Sequence, residues 1–347
     1  MFWLVYFTFG VFAMTDLWPQ KQRMGIEKML KAVQKKKYEN QFAVFDADNT
    51  LWEHDIAEGL LAWMEYRELI SLSRMESSIF PLPPLPKENV FSYYKRLCNW
   101  DHSICYLWSA QAFYGFTLAK LKMEVDAMMA YENPKGIPVL VRKEENGLVR
   151  VEEIFVPVPK IFQGQQDLLQ ELRQHNIEPW VVSASAEEIV RMVASDPKYG
   201  LHIKPENVIG VNLLLSYEDG HVVSSAEERK VGNVGSYYFS EERQQAVLTH
   251  HLYAPATWYA GKVAAIKEWI HPSQRPILVA GDSPNDFYMQ FYANVEDGGV
   301  RVRIHRKDSH KEELELEIST RKNGENNADP LPEKGWVEVT PDELHYK

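Results

Sequence analysis

Residues 42–52 of the chain are Phe42-Ala43-Val44-Phe45-Asp46-Ala47-Asp48-Asn49-Thr50-Leu51-Trp52. The first four form a continuous apolar run, which predicts a short strand buried on both faces, as in a parallel sheet. Asp46 and Asp48 follow directly, and the alternation of an extended chain would point both to the same side. Burying like charges together is costly, so the pair indicates a bound cation or an acid/base pair. The alternative interpretation is that both aspartates cap a helix or a turn.

A second apolar run delivers another acid in the same way, in the stretch Ile277-Leu278-Val279-Ala280-Gly281-Asp282-Ser283-Pro284-Asn285-Asp286. Asp282 stands at the end of the predicted strand, and Asp286 follows where Pro284 can begin a helix. Hard oxygen ligands that converge in one place suit Mg²⁺, which is held by one or two carboxylates together with substrate phosphate. We therefore expect a magnesium site that joins these two segments.

Two further segments carry weaker signals. In Val182-Ser183-Ala184-Ser185, Ser183 stands at a predicted strand end and can direct its hydroxyl, with the helix N-terminus that follows, at an anion. Ser185 together with Glu188 matches a capping box.

Lys262 begins an apolar helical stretch. A single lysine is most often a surface residue, so its interest lies only in its position.

The order of predicted elements gives the fold class. Helices are predicted over 19–34, over 164–176 and from 263, and strands over 179–182, 208–215, 277–280, 300–304 and 336–339. Strands that alternate with helices at this spacing predict a doubly wound, Rossmann-like α/β core, built from residues 15–54 and 161–347. The charged stretch 306–334 is predicted to be a solvated excursion from that core.

Residues 55–160 differ in character and predict an inserted, mainly helical cap domain. A hairpin is expected over 138–158, around the turn Glu145-Asn146-Gly147. The stretch Pro81-Leu82-Pro83-Pro84-Leu85-Pro86 predicts a rigid loop, with a Pro-rich docking motif as the alternative. Nine aromatic residues lie between positions 91 and 116. They are either the core of a small helical domain or part of an aromatic cage for a cation.

Composition excludes several classes of protein. The 347 residues carry a formal net charge of −11, which works against binding of nucleic acid. Two cysteines exclude a disulfide framework, although one local bridge between Cys98 and Cys105 remains open.

The first 14 residues are apolar and uncharged, and no segment reaches the length of a stable membrane span. We favour an upstream extension with Met14 as the working start and a cytoplasmic protein. If residues 1–13 are instead a signal peptide, the protein is periplasmic or secreted.

The four motifs together resemble the haloacid-dehalogenase superfamily of phosphohydrolases, and the Val-Ser-Ala-Ser form of the second resembles its phosphoserine-phosphatase-like branch. The neighbourhoods 46–52 and 255–266 are most similar to the phosphorylcholine phosphatases. The long insertions depart from the family pattern and leave specificity open.

The resemblance implies a role for each residue of the motifs. Asp46 is expected to be the nucleophile that forms an aspartyl-phosphate, and Asp48 the general acid/base. The phosphate-binding residues are expected to be Thr50, Ser183 and Lys262. The Mg²⁺ ligands are expected to be Asp46, the Asp48 backbone carbonyl and Asp282, supported by Asp286. Apart from the resemblance, Trp52 and Trp258, which flank two motifs, are candidates for contact with a cationic substrate through their aromatic faces.

The function expected from the resemblance is a magnesium-dependent phosphomonoesterase for a small cationic phosphoester, phosphocholine first. Phosphoserine or phosphoethanolamine hydrolysis, and a phosphotransferase on the same scaffold, are the alternatives. A third hypothesis, a binding or membrane-tethered protein with an inherited catalytic appearance, is disfavoured because all the motif residues are present.

Overall fold

The computed structural model describes residues 18–36, 40–230, 235, 237–253, 256–323 and 331–345. The apolar N-terminal segment of the sequence analysis therefore lies outside the described residues. The helices are α1 (Gln20–Lys36), α2 (Ile56–Tyr66), α3 (Val90–Trp100), α4 (His102–Gln111), α5 (Leu118–Met129), α6 (Gln163–Gln174), α7 (Glu187–Ala194), α8 (Ser225–Lys230), α9 (Glu241–Gln244), α10 (Ala260–Ala265), α11 (Phe287–Phe291) and α12 (Asp308–Asn323). The strands are β1 (Phe42–Phe45), β2 (Trp52–Glu53), β3 (Ile137–Glu145), β4 (Leu148–Val156), β5 (Lys160–Ile161), β6 (Glu178–Ala186), β7 (Val208–Ser216), β8 (Val222–Ser224), β9 (Val247–Tyr253), β10 (Leu278–Gly281), β11 (Val300–Ile304) and β12 (Trp336–Val339).

A mainly parallel β-sheet forms the centre of an α/β fold, as the sequence predicts. Within the described residues its strand order is β12-β11-β10-β1-β6-β7-β8, with β9 also paired to β7. The strands from β12 to β7 run parallel, and β8 and β9 pair antiparallel with β7. Because β1 lies between β10 and β6, the carboxyl ends of these three strands meet at one edge, where ligands collect in such sheets. This topology brings the first, second and fourth motifs together.

The chain leaves this core through β2 and returns through β5, and the two short strands pair with each other antiparallel. Between them lie α2 to α5 and the hairpin of β3 and β4, in agreement with the helices and hairpin expected there. A disulfide joins Cys98 of α3 to Cys105 of α4, so the local bridge that the sequence left open is formed. The aromatic residues of this region are mostly interior, with Phe91, Tyr93, Trp108 and Phe113 fully buried.

The stretch 306–334, predicted to be a solvated excursion, is exposed along most of its described residues, but it contains a helix that packs on the core. Residues 308–323 form α12, whose Leu314 is buried against Phe287 and Phe291 of α11. The charged surface of α12 hid this contact, because one buried leucine in sixteen residues gives little amphipathic pattern. In the part of the chain that the structure describes, no helix is both long and apolar enough to cross a bilayer.

A buried ionic network joins α7, which follows β6, to α8 and α9. Glu188 accepts hydrogen bonds from Arg191, Arg243 and Ser225, and all four side chains are buried. Burial alone would raise the pKa of Glu188, but the two guanidinium groups hold it well below its usual value. The network therefore depends on every charge having its partner.

Replacement of Glu188 by alanine should destabilise the fold by about 3–5 kcal/mol, since two buried guanidinium groups would lose their shared carboxylate. Urea denaturation of Glu188→Ala measures this loss. The matched control is Glu315→Ala on the exposed side of α12, for which we expect a change within about 0.5 kcal/mol. Equal midpoints for the two variants would mean that the network does not stabilise the fold.

Candidate active site

Asp46 is the first residue after β1, at the carboxyl edge of the sheet. Its Oδ1 accepts a hydrogen bond of 2.5 Å from Nζ of Lys262, and its backbone N–H donates to the carbonyl of Ala280 in β10. Asp46 is 6% exposed and Lys262 is fully buried. The lysine is thus an interior residue and not the surface residue that a lone lysine usually is. Burial, followed by the nearby charge of Asp286, raises the pKa of Asp46 well above its usual value, although Lys262 opposes the shift.

Asp286 supports the lysine from the other side. Its Oδ1 accepts from Nζ of Lys262 at 2.7 Å, and its Oδ2 accepts from the backbone N–H groups of Asp282 and Ser283. The side chain reaches these groups by passing over Gly281, where a Cβ would stand 2.5 Å from the Cβ of Asp286. Burial would lower the pKa of Lys262, but Asp286 and Asp46 raise it above its usual value. Lys262 is therefore a permanent cation between two carboxylates.

Asp48 is held by three donors. Its Oδ1 accepts from the indole N–H of Trp52 at 2.8 Å and from the backbone N–H of Ile56 at 2.7 Å. Its Oδ2 accepts from the hydroxyl of Ser185 at 2.5 Å. Burial nevertheless raises the pKa of Asp48, and the three hydrogen bonds only reduce that shift.

Two predictions about the partners of Asp48 need correction. The capping box of Ser185 and Glu188 is not formed, because β6 continues to Ala186 and the Ser185 hydroxyl points to Asp48. Trp52 does not line the cavity as a substrate contact, because it is fully buried with its indole N–H bound to Asp48. Both residues position a carboxylate instead.

Thr50 and Ser183 are both buried. The hydroxyl of Thr50 is 3.4 Å from Oδ2 of Asp46, and Oγ of Ser183 accepts from the backbone N–H of Ser185 at 3.1 Å. The ends of β1, β6 and β10, together with α10, thus bring residues of all four motifs into one site.

Arg306 is one of the residues of this site that the sequence analysis missed, and it contacts a carboxylate of the fourth motif directly. It follows β11, and its Nε donates to Oδ2 of Asp282 at 2.7 Å while a second guanidinium nitrogen bonds the same oxygen. Its position two residues beyond the last residue of the predicted strand 300–304 was an available signal, since that edge of the sheet collects ligands. The charged run that follows concealed it.

The donor set at the carboxyl edge fits a divalent cation. One oxygen each of Asp46, Asp282 and Asp286 lie within 4.8 Å of one another, and all three residues are buried. Both oxygens of Asp286 are already engaged by Lys262 and by backbone N–H groups. Asp46 has one oxygen held only by a long contact of 3.4 Å to Thr50, and Asp282 has one oxygen that Arg306 does not bond. These two are therefore the better ligands and Asp286 their support, as the resemblance implies.

A cavity of about 380 Å³ opens above these residues. Its floor contains Asp46, Asp48 and Asp282. Its walls come from the inserted region, the loop before α10, β6, α12 and the segments that follow β1, β10 and β11. The wall residues with polar or aromatic side chains are Asn49, Asp55, His102, Tyr106, Ser185, Tyr259, Ser283, Asn285, Arg306, His310 and Glu313. Trp258, expected to contact substrate, does not line the cavity and packs against Tyr106 with ring centres 6.0 Å apart.

The chain is similar over most of its length to a protein of known activity. It is 38% identical over 336 residues to the phosphorylcholine phosphatase of Pseudomonas aeruginosa, an alignment that covers 94% of this chain and 92% of the relative. The chain belongs to the phosphorylcholine phosphatase family. It is therefore a phosphatase of the haloacid-dehalogenase type.

Other comparisons concern the fold or yield no match. A conserved protein of unknown function from Anaerococcus prevotii superposes with a TM-score of 0.59 and 18% identity, covering 95% of this chain and 97% of that one. An apo phosphoserine phosphatase superposes with a TM-score of 0.39 and 12% identity, covering 79% of this chain and 90% of that one. No family model matches the chain.

The stability of the metal-free protein should depend on pH through Asp282. Burial raises the pKa of this carboxyl to about 7 from 3.8, with Arg306 opposing the shift. The folded state then holds a proton that the unfolded state releases between these values. The resulting stabilisation is complete below about pH 4 and is lost as pH rises through about 7, by up to about 1.4 kcal/mol per pH unit.

Urea denaturation in a metal chelator at several pH values, for the wild type and for Asp282→Asn, measures this contribution. The asparagine variant should have a flatter pH dependence over this interval. Parallel profiles for the two proteins would show that Asp282 does not titrate as described.

Proposed function

We propose that the chain hydrolyses a small cationic phosphomonoester, phosphorylcholine in the first place, through a covalent aspartyl-phosphate and with Mg²⁺. The observation that carries the proposal is the buried ion pair of Asp46 with Lys262 at the floor of a cavity, in a member of this family. The lysine charge opposes the rise in the pKa of Asp46 that burial causes, and so favours the ionised carboxylate that a nucleophile requires.

In the first step an oxygen of Asp46 attacks phosphorus, and the bond from phosphorus to the ester oxygen breaks. Asp48 gives a proton to the departing alcohol, a role that its raised pKa supports. In the second step Asp48 takes a proton from water as the water oxygen attacks phosphorus. Inorganic phosphate leaves and Asp46 is restored.

Lys262 would neutralise charge on the phosphoryl oxygens, and the hydroxyls of Thr50 and Ser183 would donate to them. Mg²⁺, when bound by Asp46, the Asp48 carbonyl and Asp282, supplies the charge that lets one anion approach another. Residues 55–160 act in this proposal as the cap that sets specificity.

The cation of the substrate would lie at the wall of the cavity, away from the phosphate. Tyr106 and Tyr259 provide aromatic faces there, which attract quaternary ammonium groups by about 0.5–2 kcal/mol each. Asp55 and Glu313 add carboxylates. Burial, followed by the charges of Asp48 and Glu58, raises the pKa of Asp55 well above its usual value, and a bound cation would favour its ionised form.

The chemistry is tested with Asp46→Asn, which should lose nearly all phosphate release while keeping its thermal unfolding temperature within a few degrees. In the wild type, calorimetry should detect binding of beryllium fluoride, a mimic of the phosphoryl group on aspartate, only with Mg²⁺ present. Retained turnover by Asp46→Asn would contradict the mechanism.

The substrate class is tested with Asp55→Asn. Asparagine still caps α2 as Asp55 does through the N–H of Glu58, so the fold is kept. We expect kcat/KM for phosphorylcholine to fall about tenfold or more, equivalent to about 1.4 kcal/mol, and that for p-nitrophenyl phosphate to change little.

The matched control is Asp101→Asn, the N-cap of α4, which does not line the cavity. A panel with phosphoethanolamine and phosphoserine ranks the alternatives. Equal losses on phosphorylcholine and on p-nitrophenyl phosphate, which has no cationic group, would remove Asp55 from cation recognition.

A further inference from the structure

The hairpin of β3 and β4 packs one face against helices of the inserted region, including α2 and α3, and leaves the other face in solvent. Ile137, Val139 and Val141 of β3 are buried, whereas β4 is exposed along most of its length. The exposed apolar side chains of the hairpin are Leu140, Leu148, Val149, Val151 and Phe155. A two-stranded ribbon that leaves this much apolar surface in water has the properties of an interaction surface.

The two edges of the hairpin differ. On β3 the carbonyl of Leu140 accepts from the side chain of Asn89, and the N–H of Arg142 donates to the hydroxyl of Ser92. The backbone groups of β3 that point away from β4 therefore meet α3. Among the described residues, none outside the hairpin bonds the outer edge of β4.

The register identifies the groups on this free edge. The backbone carbonyl of Leu140 and the backbone N–H of Arg142 point away from β4. The backbone groups of Val141, which lies between them, therefore point towards β4 and pair with Glu152. In an antiparallel pair the inward and outward residues alternate, so Val149, Val151 and Glu153 present their N–H and C=O groups outward. These groups form the template for another strand.

We propose that the outer edge of β4 pairs antiparallel with the same edge of a second copy of this chain, forming a continuous four-stranded sheet across a two-fold axis. Outward residues must face outward residues, and pairing of Val151 with Val151 of the second copy satisfies this. This register places Val149 opposite Glu153, and it uses the strand from Leu148 to Ile154.

Charge complementarity selects the second copy as the occupant. In this register Arg150 stands opposite Glu152 of the other chain, and symmetry repeats the pair. Both lie at the narrow, non-hydrogen-bonded positions where cross-strand side chains approach most closely. Lys143, which bonds Glu152 at 2.6 Å within one hairpin, adds a second cation to each acid. A strand with this sequence is thus complementary to itself.

Sedimentation equilibrium of the full-length chain over a concentration series tests the proposal. We expect a species of twice the 40.3 kDa chain mass at high concentration. Val151→Pro should abolish it, since proline removes an outward N–H and spares the bonds between β3 and β4. Arg150→Glu should weaken dimerisation about tenfold by placing like charges opposite each other.

The double variant Arg150→Glu with Glu152→Arg restores opposite charges across the axis and should recover the dimer. Circular dichroism and thermal unfolding of each variant verify that the hairpin is folded. A wild type that sediments as a monomer throughout would overturn the proposal. So would a dimer that is unaffected by Val151→Pro and Arg150→Glu, because it would use another surface.

Discussion

A single buried cation, the ammonium group of Lys262, holds this site together. It lies between Asp46 and Asp286, and removing it would leave two buried carboxylates with no cation between them. Such a pair cannot remain ionised without compensation, since burial and like charge both favour the protonated form. The lysine links α10 to the residue after β1 and to the segment after β10. The same two ion pairs therefore balance the charges of the site and hold these segments together at the edge of the sheet.

The strand order of the central sheet makes these ion pairs possible. With β1 between β10 and β6, the first, second and fourth motifs end at one edge, and α10 brings the third to them. The insertion between β2 and β5 then covers the edge and encloses a cavity with carboxylates at the bottom and aromatic rings at the side. The proposed hydrolysis of a cationic phosphoester uses both features.

The sequence predicted the strands and the motif residues well because their signals are local. An apolar run that ends in aspartate predicts a buried strand and also predicts that the carboxylate lies at the end of that strand, as at Asp46 and Asp282. The partners of these acids could not be predicted, because they depend on contacts between distant segments. Ser185 had a sound local role as a cap, yet its hydroxyl serves Asp48, 137 residues earlier. Arg306 was hidden at the head of a charged helix.

The aromatic surplus was predicted only in its location. Most rings between positions 91 and 116 pack the interior of the inserted region, and Tyr106 alone of the nine is among the described cavity-lining residues. Helical periodicity indicates that a ring is buried, but it does not distinguish a domain core from a ligand wall.

The central claim, that phosphorus is transferred to Asp46, is tested most directly by trapping the covalent species. Wild-type protein is mixed with phosphorylcholine and Mg²⁺, quenched in acid and reduced with borohydride, which converts an acyl phosphate to an alcohol. Peptide mass spectrometry should find homoserine at position 46 only when substrate was present. Aspartate unchanged at position 46 during turnover, or the reduced residue at another position, would contradict the account.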